Sequence, residues 1–267
     1  MSTQDLLQSV SDGVLTLTMN RPDALNALSW PMMDAMTQAV KSAATDDAIG
    51  CVVLTGAGRG FCAGGDVKAM AAGREMDAKG LEAKAQALRE RMEISRLLHE
   101  LPKPTIAMVN GFCFGGAFSI VEGCDLAVAA DEATFGLSEI NFRLFPGGSV
   151  SKSLANLFRP RDALLYGMTG RPFNGKDAAR IGFVNFSVPL AELEKETMAL
   201  AREIAAKDPA ALKATKDGYR FSLEMSWEAS MSYTFAKENE IFVAQKGGWI
   251  DQGIGDFLKG KSKPGLG

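Results

Sequence analysis

Two glycine turns are the first residues in this chain whose types and spacing could do chemistry. They are Ala63-Gly64-Gly65-Asp66 and Gly115-Gly116-Ala117, and each follows an apolar run typical of a buried strand. Backbone N–H groups from two such turns could converge on one oxygen and stabilise negative charge there, as an oxyanion hole does. Two tight turns without a catalytic role are the alternative interpretation of the same pattern.

A carboxylate follows the second turn. Glu139 lies among apolar neighbours, which are Phe135, Leu137, Ile140 and Phe142. Apolar surroundings raise the pKa of a carboxyl group and so suit it to acid–base catalysis. A solvated loop acid or a capping residue is the alternative for Glu139. Glu122 is a rival carboxylate, because it lies one turn after Ser119 on a predicted helix.

Other chemistries find little support in the sequence. The single histidine, His99, excludes a His-cluster metal site and would have to serve any Ser-His-Asp triad, so we predict no metal site. The segment 58–63 fits a dinucleotide-binding fingerprint, but the acidic residue required about 20 positions further on is missing. None of the four cysteines forms a CxxC pair, so we predict buried, reduced thiols at Cys51, Cys62, Cys113 and Cys124.

Composition limits the possible partners. The 267 residues carry a net charge of −3, which argues against binding to nucleic acid. No run of about 18 apolar residues occurs, and the N-terminal segment lacks the basic and apolar regions of a signal peptide. We therefore predict a soluble, cytoplasmic protein with neither a nucleic-acid nor a membrane partner.

Strand and helix patterns alternate as far as residue 188 and predict an α/β core. Strand patterns occur at 14–19, 51–54, 105–109, 124–130 and 183–188. Helix patterns occur at 30–43, where Ser29 is the predicted N-cap, and at 79–100, 154–158, 163–166 and 176–181. From residue 190 the pattern is helical, so we divide the chain into a core of residues 1–189 and a helical region of residues 190–267. Methionine and aromatic side chains in that region predict a subunit interface.

Ordered motifs carry a resemblance to a known family. They read NRPDALNAL, TGAGRGFCAGGDVKAM, KPTIAMVNGFCFGGAFSIVEGCDLAVAADEATFGLSEINFRLFPG and MTGRPFNGKDAARIGFVN. In this order the chain resembles the crotonase, or enoyl-CoA hydratase/isomerase, family over nearly its whole length. The central block, with the VSK of residues 150–152, most resembles the hydroxycinnamoyl-CoA (feruloyl-CoA) hydratase-lyase branch. The resemblance implies a ClpP/crotonase-like α/β fold of repeated ββα units, with a C-terminal helical trimerisation region that forms homotrimers or dimers of trimers.

The resemblance also implies a site. The oxyanion-hole donors carry over to the N–H groups of Gly65 and Gly116. The CoA part of the substrate would lie along Ala27, Leu28, Ala63, Gly64 and Asp66. A lysine near the C-terminal end, Lys259 or Lys261, is expected to meet the CoA phosphates. No cofactor is implied, because coenzyme A enters as part of the substrate thioester.

The family pattern differs here at three positions. Ordinary hydratases use two acidic residues, of which the second is Glu139 and the first is replaced by Ser119. The hydratase-lyase branch also carries serine there, so Glu139 becomes the single acid–base residue and Ser119 could orient the water by hydrogen bonding. The tyrosines that hold a substrate phenol in that branch correspond to Met70 and Phe235, which cannot hydrogen-bond a phenol, although Tyr233 is near.

These observations predict hydration of a trans-2-enoyl-CoA. Several phenylalanines suggest a bulky or aromatic acyl group, although some of them must belong to the core; they are Phe112, Phe114, Phe118, Phe142 and Phe145. Hydratase-lyase action, which gives an aromatic aldehyde and acetyl-CoA, is one alternative. Double-bond isomerisation is another, and a non-enzymatic binding or assembly role is the third.

Overall fold

The computed structural model describes residues 4–66 and 93–261 of the chain. The chain divides into two compact units, Met1–Ala206 and Lys207–Gly267. All strands of the described part lie in the first unit, which also contains the glycine turns and Glu139.

The larger sheet of the first unit has six strands. In spatial order they are β1 (Leu6–Ser11), β2 (Val14–Met19), β3 (Cys51–Gly56), β5 (Thr105–Val109), β7 (Leu126–Ala130) and β10 (Phe186–Val188). The pair β1 and β2 is antiparallel, and the other neighbours are parallel. Strands β3 and β5 are buried at every position, as continuous apolar runs are when both faces of a parallel sheet are covered.

The smaller sheet has four short strands, which are β4 (Gly60–Cys62), β6 (Phe112–Phe114), β8 (Thr134–Gly136) and β9 (Phe173–Asn174). The first three are parallel, and β9 is antiparallel to β8. The chain alternates between the two sheets, from β3 to β4, from β5 to β6 and from β7 to β8. This alternation is the repeated unit that the family resemblance implies, so the fold class is confirmed. The short strands themselves were not predicted, because two or three residues are too few for a periodic signal.

Helices connect and cover the sheets of the first unit. They are α1 (Trp30–Ala43), α2 (Glu93–Glu100), α3 (Ala117–Gly123), α4 (Ser149–Leu157), α5 (Pro160–Thr169), α6 (Gly175–Ile181) and α7 (Leu190–Ala205). Ser29 caps α1 as predicted, because its side chain accepts a hydrogen bond from Met32 N at 3.2 Å. The predicted helix over 79–100 is described from Glu93 onward, and the rest lies outside the described residues.

A cluster of aromatic rings fills the core beside α3. The ring centroid of Phe118 lies 4.6 Å from that of Phe183, and 6.3 to 6.4 Å from those of Phe135, Phe158 and Phe173. Phe118 has no exposed surface and therefore belongs to the core rather than to an acyl pocket. Phe142 is 60% exposed and Phe145 is 73% exposed.

Helix α7 packs against strands of the larger sheet, with Leu193, Thr197 and Ala201 buried. The compact first unit therefore extends through Ala206, beyond the boundary after residue 189 that separates core and helical region in the sequence. That sequence-based division, with an oligomerisation role for residues 190–267, stays a prediction.

The second unit is helical throughout its described part. It contains α8 (Pro209–Ser222), α9 (Trp227–Gln245), a π-helical turn at Trp249–Ile254 and α10 (Gly255–Leu258). Asp217 on α8 forms ion pairs with Lys213 at 2.7 Å and with Lys237 of α9 at 3.5 Å, which joins the two helices. No described helix in either unit has the length and apolar character needed to span a membrane.

We expect Phe118→Ala to lower the free energy of unfolding by about 3–5 kcal/mol, because it removes a fully buried ring and leaves a cavity among four others. Urea denaturation measures the change. Phe142→Ala is the matched control and should change stability by less than about 0.5 kcal/mol, since its ring is mostly exposed. Similar losses in the two variants would contradict the assignment of Phe118 to the core.

Candidate active site

The pairing of β4 with β6 places the two glycine turns side by side. Cys62 pairs with Cys113 in the parallel register, and each turn follows directly. A Cβ atom on Gly64 would lie 2.5 Å from Phe114 O, closer than real Cβ atoms approach, and 3.0 Å from Gly116 N, which is also tight. Gly64 also has a φ of +84°, which glycine adopts without strain. The close backbone contact between the turns therefore requires glycine at this position.

The backbone nitrogens of Gly65 and Gly116 both lie beside the contact between the turns. The Cβ position of Gly116 lies 3.6 Å from Gly65 N. Within the described part of the chain, neither N–H donates a hydrogen bond, whereas Gly64 N donates to Cys62 Sγ at 3.4 Å and Gly115 N donates to Gly136 O at 3.0 Å. Two neighbouring unpaired donors are what an oxyanion would need.

Glu139 lies against the same contact. It is on a 3-10 helix, Ser138–Phe142, that begins just after β8, the neighbour of β6. Its Oε1 atom is only 3.0 Å from the Cβ position of Gly115. Its Oε2 atom is buried and has no hydrogen-bond partner among the described residues. Burial raises the pKa of the Glu139 carboxyl, opposed by a weaker hydrogen bond to its own backbone. A carboxyl group with a raised pKa is suited to proton transfer, so Glu139 stays the candidate acid–base residue.

Ser119 and Glu122 lie on α3 and have different partners. Ser119 is 5% exposed, and its Oγ accepts a hydrogen bond of 2.7 Å from Ser149 Oγ. Glu122 Oε1 accepts a hydrogen bond of 3.0 Å from Asn156 Nδ2. Because Glu122 is paired with α4 while Glu139 lies against Gly115, the geometry favours Glu139 as the acid–base residue.

The segments predicted to bind CoA pair with each other. Leu28 N donates to Gly64 O at 2.8 Å, and Leu28 forms an isolated parallel bridge with Gly65. Arg21 crosses this pairing, since its NH1 group donates to Ala27 O at 2.7 Å and to Asp66 Oδ2 at 3.2 Å. Ala63 is held to the same segment through its N–H, which donates to Leu25 O at 2.9 Å.

Asn26 supports the site but was missed by the sequence analysis. It is fully buried with a φ of +57°, and its Oδ1 accepts from Arg21 N at 2.7 Å. Its Nδ2 donates to Gly60 O at 2.7 Å and to Ala57 O at 3.0 Å. Asparagine tolerates this left-handed backbone and binds nearby backbone groups, so the Asn within NRPDALNAL was a usable signal.

Four further residues were predicted to bind the substrate or its CoA part. Met70 lies outside the described residues, and Phe235 lies on α9 of the second unit with 57% of its surface exposed. Lys259 and Lys261 follow α10 in that same unit, and the binding roles of all four stay predictions. The four cysteines lie within the described residues and form no disulfide, and all except the half-buried Cys124 are buried. Among the described residues there is no group of three or more His, Cys, Asp or Glu side chains that could hold a metal ion.

Comparisons with known proteins agree with this geometry. A family model described as enoyl-CoA hydratase/isomerase matches residues 9–251. A hydroxycinnamoyl-CoA hydratase-lyase from Pseudomonas fluorescens is 44% identical over 259 residues, which cover 96% of this chain and 93% of the relative.

Solved structures show the same fold. The enoyl-CoA hydratase subunit I of Geobacillus kaustophilus is 31% identical with a TM-score of 0.85, over 97% of this chain and 96% of the other. An enoyl-CoA hydratase of Mycobacterium smegmatis is 31% identical with a TM-score of 0.84, over 96% and 97% of the two chains. These matches confirm the family resemblance predicted from the motifs.

We expect Glu139→Gln to unfold at the same temperature as the wild type, or higher, at neutral pH. Burial raises the folded-state pKa of this carboxyl above its ordinary value of 4.5, so the charged form opposes folding. The stability lost to this group grows as the pH rises from the unfolded pKa through the folded pKa, and glutamine avoids that loss. Thermal unfolding at acid and neutral pH measures the effect.

The control is Glu122→Gln, whose carboxylate accepts a hydrogen bond from Asn156. It should show no stabilisation that grows with pH. A Glu139→Gln variant that is less stable at neutral pH than at acid pH, relative to the wild type, would contradict the prediction.

Proposed function

The chain belongs to the enoyl-CoA hydratase/isomerase (crotonase) family and is a lyase of that family, and we propose that it adds water to the double bond of a trans-2-enoyl-CoA. Members of this family act on CoA thioesters without a metal cofactor. The observation that carries the proposal is the buried, unpaired Oε2 of Glu139 beside the turn that presents Gly116 N–H. A proton acceptor next to two oxyanion donors is the minimum that addition of water to an unsaturated thioester needs.

The two N–H donors act on the thioester carbonyl. When water attacks C3, the electrons of the C2–C3 double bond move towards the carbonyl oxygen and form an enolate. Hydrogen bonds from Gly65 and Gly116 strengthen as this oxygen becomes negative, so they stabilise the transition state more than the substrate. Loss of one such donor typically raises the barrier by about 3–4 kcal/mol.

Glu139 handles the protons. As the ionised carboxylate, it takes a proton from water while the new bond between oxygen and C3 forms. The carboxylic acid then returns a proton to C2 as the enolate collapses, which restores the residue to its starting state. Its raised pKa suits both steps, because a group that titrates nearer to neutral pH serves better as acceptor and then as donor.

Substrate binding and assembly complete the proposal. The CoA part would lie along the paired segments that contain Leu28 and Gly64, and Lys259 or Lys261 would meet its phosphates. Ser119 contributes hydrogen bonding rather than proton transfer, since a serine hydroxyl does not ionise at neutral pH. We expect homotrimers, or dimers of trimers, in which the C-terminal helices contribute to assembly, and a cytoplasmic location.

Cleavage after hydration is the second candidate. It is favoured by the 44% identity to a relative named hydroxycinnamoyl-CoA hydratase-lyase. In that reaction Glu139 would remove the proton of the new 3-hydroxyl group, and the C2–C3 bond would break to give an aldehyde and the acetyl-CoA enolate, which then takes up that proton. Met70 and Phe235 weaken this candidate, because a buried substrate phenol left without a partner costs about 1–3 kcal/mol.

We expect Glu139→Gln to reduce kcat for enoyl-CoA hydration by more than about tenfold, while acyl-CoA binding stays within severalfold, because an amide cannot accept the proton of water. Loss of the enoyl absorbance measures the rate. Glu122→Gln is the control and should be mild. A Glu139→Gln variant that keeps more than about a tenth of the wild-type kcat, a loss of roughly 1.4 kcal/mol, would refute the assignment.

We expect hydration of a plain enoyl-CoA to be faster than cleavage of 4-hydroxycinnamoyl-CoA. The two thioesters are incubated in parallel, and chromatography measures hydroxyacyl-CoA, aldehyde and acetyl-CoA. Stoichiometric aldehyde formed as fast as the hydration product would establish the second candidate instead. In that case Tyr233→Phe, which removes only a phenol hydroxyl, should slow cleavage selectively.

A further inference from the structure

Two serine hydroxyl groups meet beside the proposed site. Ser149 Oγ donates a hydrogen bond of 2.7 Å to Ser119 Oγ, and Ser119 is 5% exposed. A serine hydroxyl has one hydrogen and two lone pairs. Because the hydrogen in this bond comes from Ser149, the hydrogen of Ser119 points elsewhere, and it has no acceptor among the described residues. The pair of serines therefore offers one hydrogen-bond donor, which is the hydroxyl group of Ser119.

Ser119 lies one helical turn from the proposed oxyanion donor Gly116. Ser119 is in the first turn of α3, three residues after the N-cap Gly116, and residues at this spacing share one side of a helical turn. Its N–H donates to Gly116 O at 3.2 Å, so the turn is continuous with the glycines. Gly115, directly before Gly116, lies against the Glu139 carboxyl, because a Cβ atom on it would be 3.0 Å from Oε1.

Helix α4 holds Ser149 in place. Ser153 Oγ, one turn further along, is 3.1 Å from Phe118 O and 3.0 Å from Ser149 O, and it can donate to either. Asn156, on the same face, donates to Glu122. Contacts at positions 149, 153 and 156 therefore fasten α4 along α3, so the loss of one contact leaves α4 held by the other two.

We propose that Ser149 is a positioning residue for the attacking water, acting through Ser119. Its hydrogen bond occupies a lone pair of Ser119 and polarises that hydroxyl, which makes Ser119 a stronger donor. A donor to the water oxygen holds it in place and leaves its hydrogens for acceptors such as Glu139. This inference rests on the proposed hydration reaction, and it assigns to Ser149 no contact with the substrate.

The test compares Ser149→Ala, Ser149→Thr and Ser153→Ala. Ser153→Ala is the matched control, because it removes the other serine hydroxyl that joins α4 to α3 without changing the partner of Ser119. We expect Ser149→Ala to lower kcat for hydration about tenfold with KM within about twofold, since water positioning affects the chemical step. Ser149→Thr should restore most of the rate. Ser153→Ala should lower the unfolding temperature and keep kcat within about threefold.

A double-mutant cycle with Ser119→Ala separates positioning from simple support. If Ser149 acts through Ser119, adding Ser149→Ala to Ser119→Ala should change kcat little further. Additive effects, an unchanged kcat in Ser149→Ala, or an equal loss in Ser153→Ala would each overturn the inference. If the wild-type protein does not hydrate any enoyl-CoA, the proposed function fails and the inference fails with it; an active wild type with an unaffected Ser149→Ala refutes the inference alone.

Discussion

The close parallel contact between β4 and β6 is the constraint on which the site depends. Three neighbouring strands of the smaller sheet, β4, β6 and β8, run in the same direction, and each delivers one group at its carboxyl end. These groups are Gly65, Gly116 and Glu139. Because the backbones touch at Gly64, with no room for a Cβ atom, the two N–H donors approach each other without any bridging side chain. Sheet register therefore sets the geometry of the proposed reaction centre.

Some polar groups around this contact have hydrogen-bond partners, and others have none among the described residues. The supporting amides are saturated: Asn26 bonds three backbone groups, and Asn110 Nδ2 donates to Gly56 O and Gly58 O at 2.9 Å. Within the described residues, the Gly65 and Gly116 N–H groups and Glu139 Oε2 have no such partners. An unpaired buried polar atom costs stability, so the fully bonded surround is what allows the buried Oε2 of Glu139 to persist for proton transfer, whereas Gly65 is exposed and Gly116 half-buried.

The sequence was informative where the signal was local. The apolar strands β3 and β5, the Ser29 cap, the glycine turns and Glu139 all have patterns that extend over several adjacent residues. The strands of the smaller sheet are too short for any period, and they exist because their backbones pair with distant segments. Two other features are likewise tertiary contacts between distant segments. They are the hydrogen bond between Ser149 and Ser119 and the packing of α7 on the larger sheet. These contacts depend on where the helices lie in the fold, which secondary-structure propensity does not predict.

The alternation of the chain between two sheets also has a consequence for the order of folding. Gly60 pairs with Phe112, Cys113 with Phe135, and Phe135 with Phe173, so the smaller sheet is built from contacts between segments far apart in sequence. Such contacts form slowly, because the entropy of closing long loops must be overcome before the pairing is gained. Helices such as α1 need only their own residues and cap. A nascent chain that ends before β8 would possess both glycine turns but lack Glu139, so the proposed reaction centre cannot be complete until β8 has paired with β6.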